Sequence, residues 1–366
     1  MAEWFKAAVL KTVVPGRVPG VRIPLSPILC STPAFALITL FLALCSASCG
    51  PRSTLPDALN DQEFWTLIEA LSEPAGSFDV SENLVSNEPR FAQSVQQLRP
   101  IAGVYVGVGP EQNFSYIARL RPTMAFIVDV RTENRNLHLL YKALFELSSD
   151  RADFVSRLFS RPRPTALASS ASVEDIFRRY HEVSASPEQF DRNMQLIRER
   201  LLMAHGLPLS AADLDSMERA FKAFYTDGPE IQFWGSRVVN SDAVRPSYRE
   251  LMTMRDLAGQ TRSFLSDDDG FRFIKDLHSR NRIVPIVGDF GGPAAIQRVG
   301  EYVRAHRDVV HAFYGSNVNV YLTNVQRNAF CRNLAGLPVS SSTVFIDNDS
   351  VRPLTRRLRA CPTKAE

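Results

Sequence analysis

The run MAFIVDV, Met124 to Val130, constrains this chain more than any other stretch. Five of its first residues are apolar without alternation, which is how a strand buried on both faces reads. Both faces of such a strand need covering, and in a parallel sheet helices cover them. The flanks agree with that demand. Val104–Val108 reads as a strand and Asn113–Leu120 as a helix, and Leu137, Leu140, Tyr141 and Leu144 then share one helical stripe. Strand, helix, strand, helix predicts an α/β fold.

Alternation stops between Ala152 and about Ser266, where only helical patterns occur, as in SVEDIFRRYHEV. It resumes with the helix DGFRFIKDLHSRN, the strand RIVPIVGDF, a helix over Pro293–His306, the strand VVHAFYGSNV, a helix around Tyr321–Leu334 and the strand STVFIDND. The expectation is a doubly wound, mainly parallel, Rossmann-like sheet of at least five strands, interrupted by a large all-helical insertion or cap. Its parts would be residues 61–150 and 267–366, with the insertion over 151–266.

The residues before 61 read differently. Residues 1–28, AEWFKAAVLKTVVPGRVPGVRIPLSP after the first Met, back-translate into a transfer RNA gene of the serine type, and are expected to be upstream DNA translated in frame. The apolar run Pro33–Leu44 has the length of a signal-peptide core rather than a membrane span. Ser46-Ala47-Ser48-Cys49 resembles a bacterial lipobox, with Ser46 where Leu is usual. Residues 29–49 are therefore expected to be a signal segment with Cys49 lipidated, and 50–60 a tether. Export to the periplasm or a membrane-anchored lipoprotein follows, with a cytoplasmic location as the alternative. Only Cys331 and Cys361 would remain downstream to pair in an oxidising compartment.

Charge excludes one class of partner. The chain carries 42 Lys and Arg against 39 Asp and Glu, and from Cys49 onward the two signs balance. Nothing in that balance favours nucleic acid. Metal-ligand pairs such as His-Glu-x-x-His and Cys-x-x-Cys are missing, as are Gly-x-Ser-x-Gly and Gly-x-x-x-x-Gly-Lys. No metal is expected, and membrane contact is expected only through the N-terminal segment.

Four strand ends hold the candidate site, because ligands of such sheets bind beyond the carboxyl ends of the strands. Gly107-Val108-Gly109-Pro110-Glu111 follows the first strand; glycines there permit positive φ and close backbone approach. Gln112 stands where a third glycine would complete a dinucleotide fingerprint, so a plain turn is the competing reading. Asp129 ends the second strand and could accept from ribose hydroxyls, or cap the helix near Asn134. Gly288-Asp289-Phe290 ends the third. There Asp289 could hold an adenine amine with Phe290 on its ring, or could cap the helix entered through Gly291-Gly292-Pro293. Tyr314-Gly315-Ser316-Asn317 ends the fourth, where Tyr314 and Asn317 are the weak catalytic candidates, with core or capping roles as alternatives.

Over residues 100–150 and 270–350 this succession resembles class I S-adenosylmethionine-dependent methyltransferases. The resemblance implies S-adenosylmethionine as cofactor and a small molecule as substrate. Gly107 and Gly109 would lie against its methionine part, Asp129 on the ribose and Asp289 on the adenine, with Asn317 beside the methyl. Glu111 and Phe290 complete the implied cofactor residues. Pro110 after the second glycine departs from the pattern, and no Asn-Pro-Pro-Tyr signature occurs. The whole chain also resembles an uncharacterised bacterial family that often carries secretion signals. For an envelope protein, the alternative is a non-catalytic use of the same cleft to hold a ligand or partner.

Overall fold

The computed structural model describes residues 52–76, 78, 83–165, 167–233, 245–348 and 350–361. The stretches 1–28 and 29–49 with Cys49 lie outside the described residues. One compact unit runs from Pro51 to Glu366.

At its centre is a six-stranded mixed sheet: β1 (Val104–Gly107), β2 (Met124–Asp129), β3 (Ile283–Val287), β4 (Val310–Tyr314), β5 (Val339–Ile346) and β6 (Val351–Pro353). The strand order is β3-β2-β1-β4-β5-β6. Every pairing among the first five is parallel, and only β5 with β6 is antiparallel. The first three strands are buried along their whole length, as the unbroken apolar runs require. Edge strand β6 is short and ends in Pro353, a residue that cannot extend a ladder and blunts the sheet edge.

Thirteen α-helices occur among the described residues. Helix α1 (Asp61–Leu71) starts on a capping box in which Asn60 accepts from the Glu63 amide and Glu63 reaches back. Asn60 is thus the cap. Asp61 bonds His205 and Asn281. Helix α2 (Phe91–Gln97) precedes β1, α3 (Gln112–Leu120) joins β1 to β2, and α4 (Thr132–Leu147) follows β2. Residues 53–60 are not a free tether: Thr54 N–H donates to the His306 carbonyl and Leu59 N–H to that of Arg280, and Leu55 and Leu59 pack on the core.

Among its described residues, the segment between α4 and α10 (Asp268–Ser279) is built mainly from helices: α5 (Arg151–Leu158), α6 (Val173–His181), α7 (Pro187–Arg198) with a π-helical extension over Glu199–Ala204, α8 (Ala211–Asp227) and α9 (Tyr248–Thr253). Its placement departs from a cap. Phe145 of α4 contacts Phe154 of α5 at 4.6 Å and Phe271 of α10 at 5.3 Å between ring centres, while Phe114 of α3 meets Phe264 at 5.4 Å. The aromatic core of the helices is therefore continuous with the flank of the sheet. Aromatic pairs of this kind add about 0.5–1.5 kcal/mol each beyond burial.

Helices α11 (Ala295–Ala305), α12 (Asn324–Ala335) and α13 (Leu354–Arg359) complete the second half. A disulfide joins Cys331 of α12 to Cys361 just beyond α13, a pairing that the sequence left open. No helix among the described residues is long and apolar enough to cross a membrane.

Candidate functional site

Strand order reverses between β1 and β4. From that point β1, β2 and β3 progress to one side and β4 and β5 to the other, which splays the connecting segments apart and opens a crevice. A cleft lies there, about 940 Å³ when the open solvent at its mouth is included. All four predicted strand ends reach it: Gly109 from β1, Asp129 from β2, Asp289 and Phe290 from β3, and Tyr314 and Asn317 from β4. Phe78, Asn83, Ser86 and Asn87, from the segment between α1 and α2, wall the other side. Phe233 is the described residue of the helical segment that borders the cleft.

The β1 turn is shaped by side chains beneath it. Asn113 donates through its amide nitrogen to the carbonyls of Val108, Gly109 and Pro110 at 2.9, 3.0 and 2.7 Å, and accepts from the Tyr105 hydroxyl. His138 lies 2.9 Å from the Gly109 carbonyl through Nε2. A carbonyl can only accept, so that nitrogen carries a proton. Burial first pushes the His138 pKa down, to about 4, against the pull of that bond.

Gly109 has φ +76° and open space where a Cβ would sit, so its backbone can approach a ligand. Gly107 serves another purpose. A Cβ there would stand 2.0 Å from Asn113 Oδ1, so this glycine makes room for the asparagine and does not border the cleft. Glu111 is also withdrawn. It is fully buried and its carboxyl accepts from the Ser86 N–H at 3.1 and 3.2 Å. Burial pushes its pKa up to about 8, offset in part by that donor.

Asp129 is held by Arg131 rather than capping a helix. Arg131 Nε and its backbone N–H donate to Oδ1 at 2.8 and 3.1 Å, and a terminal nitrogen to Oδ2 at 2.8 Å. Both side chains are buried. Burial alone pulls the guanidinium pKa down, and the facing carboxylate more than offsets it, so the net shift is upward. Oδ2 takes a single bond from this partner and keeps an acceptor position.

At the end of β3 the capping residue is Glu73, which follows α1. Its carboxylate accepts from the Asp289, Ala294 and Ala295 N–H groups at 2.7, 3.1 and 3.2 Å, placing negative charge at the start of α11. Asp289, freed from capping, accepts from the Gly291 N–H at 2.8 Å and from the Gln326 amide at 3.0 Å. Phe290 borders the cleft, but its ring is 3% exposed and stacks on Phe330 at 5.1 Å and against Phe313 at 5.2 Å. Its faces already have partners.

The β4 end contains what the sequence reading missed. Glu88 is 1% exposed and accepts from the hydroxyls of Tyr314 and Ser316, both at 2.6 Å, and of Tyr116 at 3.1 Å. Burial drives its pKa up to about 7 against these three donors. Tyr314 therefore turns its proton to Glu88, and burial together with that carboxyl raises its own pKa well above the ordinary value, so it is a donor and not a poised acid. Asn317 stands at the N-cap position of a short 3-10 turn over Val318–Val320 without a side-chain capping bond. Ser316 has φ +43°, an uncommon conformation for serine. No periodicity marks Glu88, which sits between Asn87 and Pro89 in an irregular segment. Ser316 had a weak signal, the glycine before it at a strand end. Among the described residues no group of three or more His, Cys, Asp or Glu could hold a metal ion.

The family described as "Domain of unknown function (DUF7790)" matches residues 83–357. The chain belongs to this family. The matched span includes β1 to β6 and every cleft residue named above except Glu73 and Phe78, so the cleft is built almost wholly within the family's domain. No curated protein matches the chain.

Proposed function

We propose that the cleft binds S-adenosylmethionine or a closely related nucleoside, that the sheet is a doubly wound Rossmann-like one of the methyltransferase type, and that methyl transfer to a small molecule is its chemistry. The observation carrying this reading is convergence. Four strand ends named from sequence meet in one cleft at the reversal of strand order, beneath a glycine whose φ and open face suit close ligand approach. An antiparallel strand beside β5 suits the same reading. In it, the Asp129 Oδ2 acceptor takes a ribose hydroxyl and Asp289 the adenine amine. Adenine packs on Tyr321 or Phe78 rather than on Phe290, whose ring is occupied. The aromatic walls and two carboxylates also suit a sulfonium cation. Methyl transfer asks chiefly for alignment of nucleophile, carbon and sulfur, so sparse side-chain chemistry fits it.

Calorimetric titration of S-adenosylmethionine and its demethylated product tests the reading, with Gly109→Ala as control. Its methyl would project into the cleft without meeting protein. Saturable binding that weakens in the control supports it, and an absence of heat with either compound at high concentration defeats it.

A second reading, a non-catalytic envelope lipoprotein that holds a ligand in this cleft, draws on the disulfide between Cys331 and Cys361, which oxidising compartments favour. Metabolic labelling with a fatty acid, compared with a Cys49→Ala variant, tests it. Native protein found unlabelled in the cytoplasmic fraction would exclude it.

A further inference from the structure

Ser316 and Glu88 go unused by a bound nucleoside, and together they form a unit with its own chemistry. Ser316 follows β4 directly and holds its left-handed φ ahead of a short helical turn. Gly315 makes the turn feasible, since a Cβ there would meet the Phe345 ring at 2.6 Å. A serine kept in such a conformation needs a surrounding structure that over-determines it. Here the determinants are hydrogen bonds to its hydroxyl. Oγ stands 2.6 Å from Glu88 Oε1, 3.1 Å from Asn348 Oδ1 and 3.4 Å from Asn317 Oδ1. It is half-buried on the cleft wall, whereas the carboxyl behind it is out of reach of solvent.

We infer that Ser316 is a nucleophile with Glu88 as its general base, and that the cleft accepts a small acyl or phosphoryl ester. The Glu88 carboxylate takes the Oγ proton while Oγ adds to the carbonyl carbon or phosphorus. The bond to the leaving oxygen breaks, Glu88 returns the proton to that oxygen, and an acyl- or phosphoryl-serine and an alcohol result. Water then hydrolyses the serine ester with Glu88 again as base. The amide ends of Asn317 and Asn348 are interchangeable in orientation, and either can turn its NH2 toward the oxygen on which charge develops. Burial makes Glu88 a stronger base than an exposed carboxylate. The groups around it are Tyr105 of β1, Glu111 and Tyr116 at and within α3, Tyr314 of β4 and Asp347 after β5. This chemistry goes beyond the nucleoside reading and stands or falls apart from it.

The test is covalent labelling of the whole protein with a small alkyl fluorophosphonate, located by peptide mass spectrometry. In that reaction Oγ bonds to phosphorus, fluoride leaves, and the serine proton passes through Glu88 to solvent. One adduct on Ser316 is expected, its rate rising through about pH 7 and then levelling. Glu88→Gln should slow it by about 100-fold or more, the usual share of a general base, and Ser316→Ala should abolish it. No adduct at Ser316, a rate that climbs with hydroxide without levelling, or equal labelling in a folded Glu88→Gln protein overturns the proposal. Melting curves identify a variant that does not fold, and the wild-type adduct and pH profile then decide alone.

Discussion

The two ends of the cleft are built on opposite principles. At β1 and β2 the polar groups are consumed by the protein itself: Asn113 holds three carbonyls, His138 reinforces one of them, and Arg131 neutralises Asp129. At β4 a buried carboxyl gathers three hydroxyls, has no ion-pair partner among the described residues, and backs a serine in an uncommon conformation. The cleft face of the first end is a shaped, electrically quiet wall suited to holding a ligand, with the buried Glu111 carboxyl withdrawn behind it. The second keeps an unneutralised acid in a poorly solvated place, a condition that proteins maintain at a stability cost and that active sites exploit.

The contrast breaks most visibly at the quiet end. Asp129→Ala removes the carboxylate that faces the buried Arg131 guanidinium and should cost about 3–5 kcal/mol in denaturant unfolding. Asp129→Ala combined with Arg131→Ala should recover part of that loss. A single variant costing less than about 1 kcal/mol would show that Arg131 relaxes toward water and that the wall is not tied as described.

The β4 end is probed by pH. Glu88 titrates near 7 when folded and near 4.5 when exposed, so the folded state binds this proton more tightly than the unfolded chain. Its contribution to stability is fully present below about pH 4.5 and is lost as pH rises through 7, by roughly 3 kcal/mol at 1.36 kcal/mol per unit. Glu111 acts in the same direction up to about pH 8. His138 acts oppositely, losing stability as pH falls from 6.5 toward 4. Unfolding free energies measured from pH 4.5 to 8, wild type against Glu88→Gln, isolate the first term. Equal slopes in the two proteins would mean that Glu88 is already solvated.

Smaller effects sharpen the comparison. Asn113→Ala strips three carbonyls of a donor and should cost about 2 kcal/mol, without changing the pH slope that Glu88 sets. A change in that slope would couple the two ends. Gly109→Ala should cost only about 1–2 kcal/mol, the strain of a Cβ at φ +76°, and its main effect should be on ligand affinity measured by calorimetry.

Much of the sheet was readable from residue order. Unbroken apolar runs require double burial, and double burial requires parallel strands under helices, which located β1, β2 and β3; the mixed runs of β4 and β5 were located by their alternation with helices. Edge strand β6 escaped notice because three residues ending in proline carry no periodic signal. Within the cleft, Gly109, Asp129, Asp289, Tyr314 and Asn317 were legible because strand ends are marked by glycine and by the change from apolar to polar residues. Their partners were not. Glu73 displaces Asp289 as the helix cap across 216 residues of sequence, and Arg131 occupies Asp129 through a rotamer that no spacing rule anticipates.

By itself, then, the sequence determined the α/β class, the positions of the parallel strands, the helical segment between them and the pairing candidates Cys331 and Cys361, because hydrophobic periodicity and cysteine number are local or countable properties. Only the tertiary structure decided the strand order, the continuity of the helical segment with the sheet's flank, and which carboxylates are paired. It also decided that Glu88 lies buried behind Ser316, 228 residues away along the chain. Desolvation and hydrogen-bond saturation depend on what the fold brings together, and no residue carries them alone.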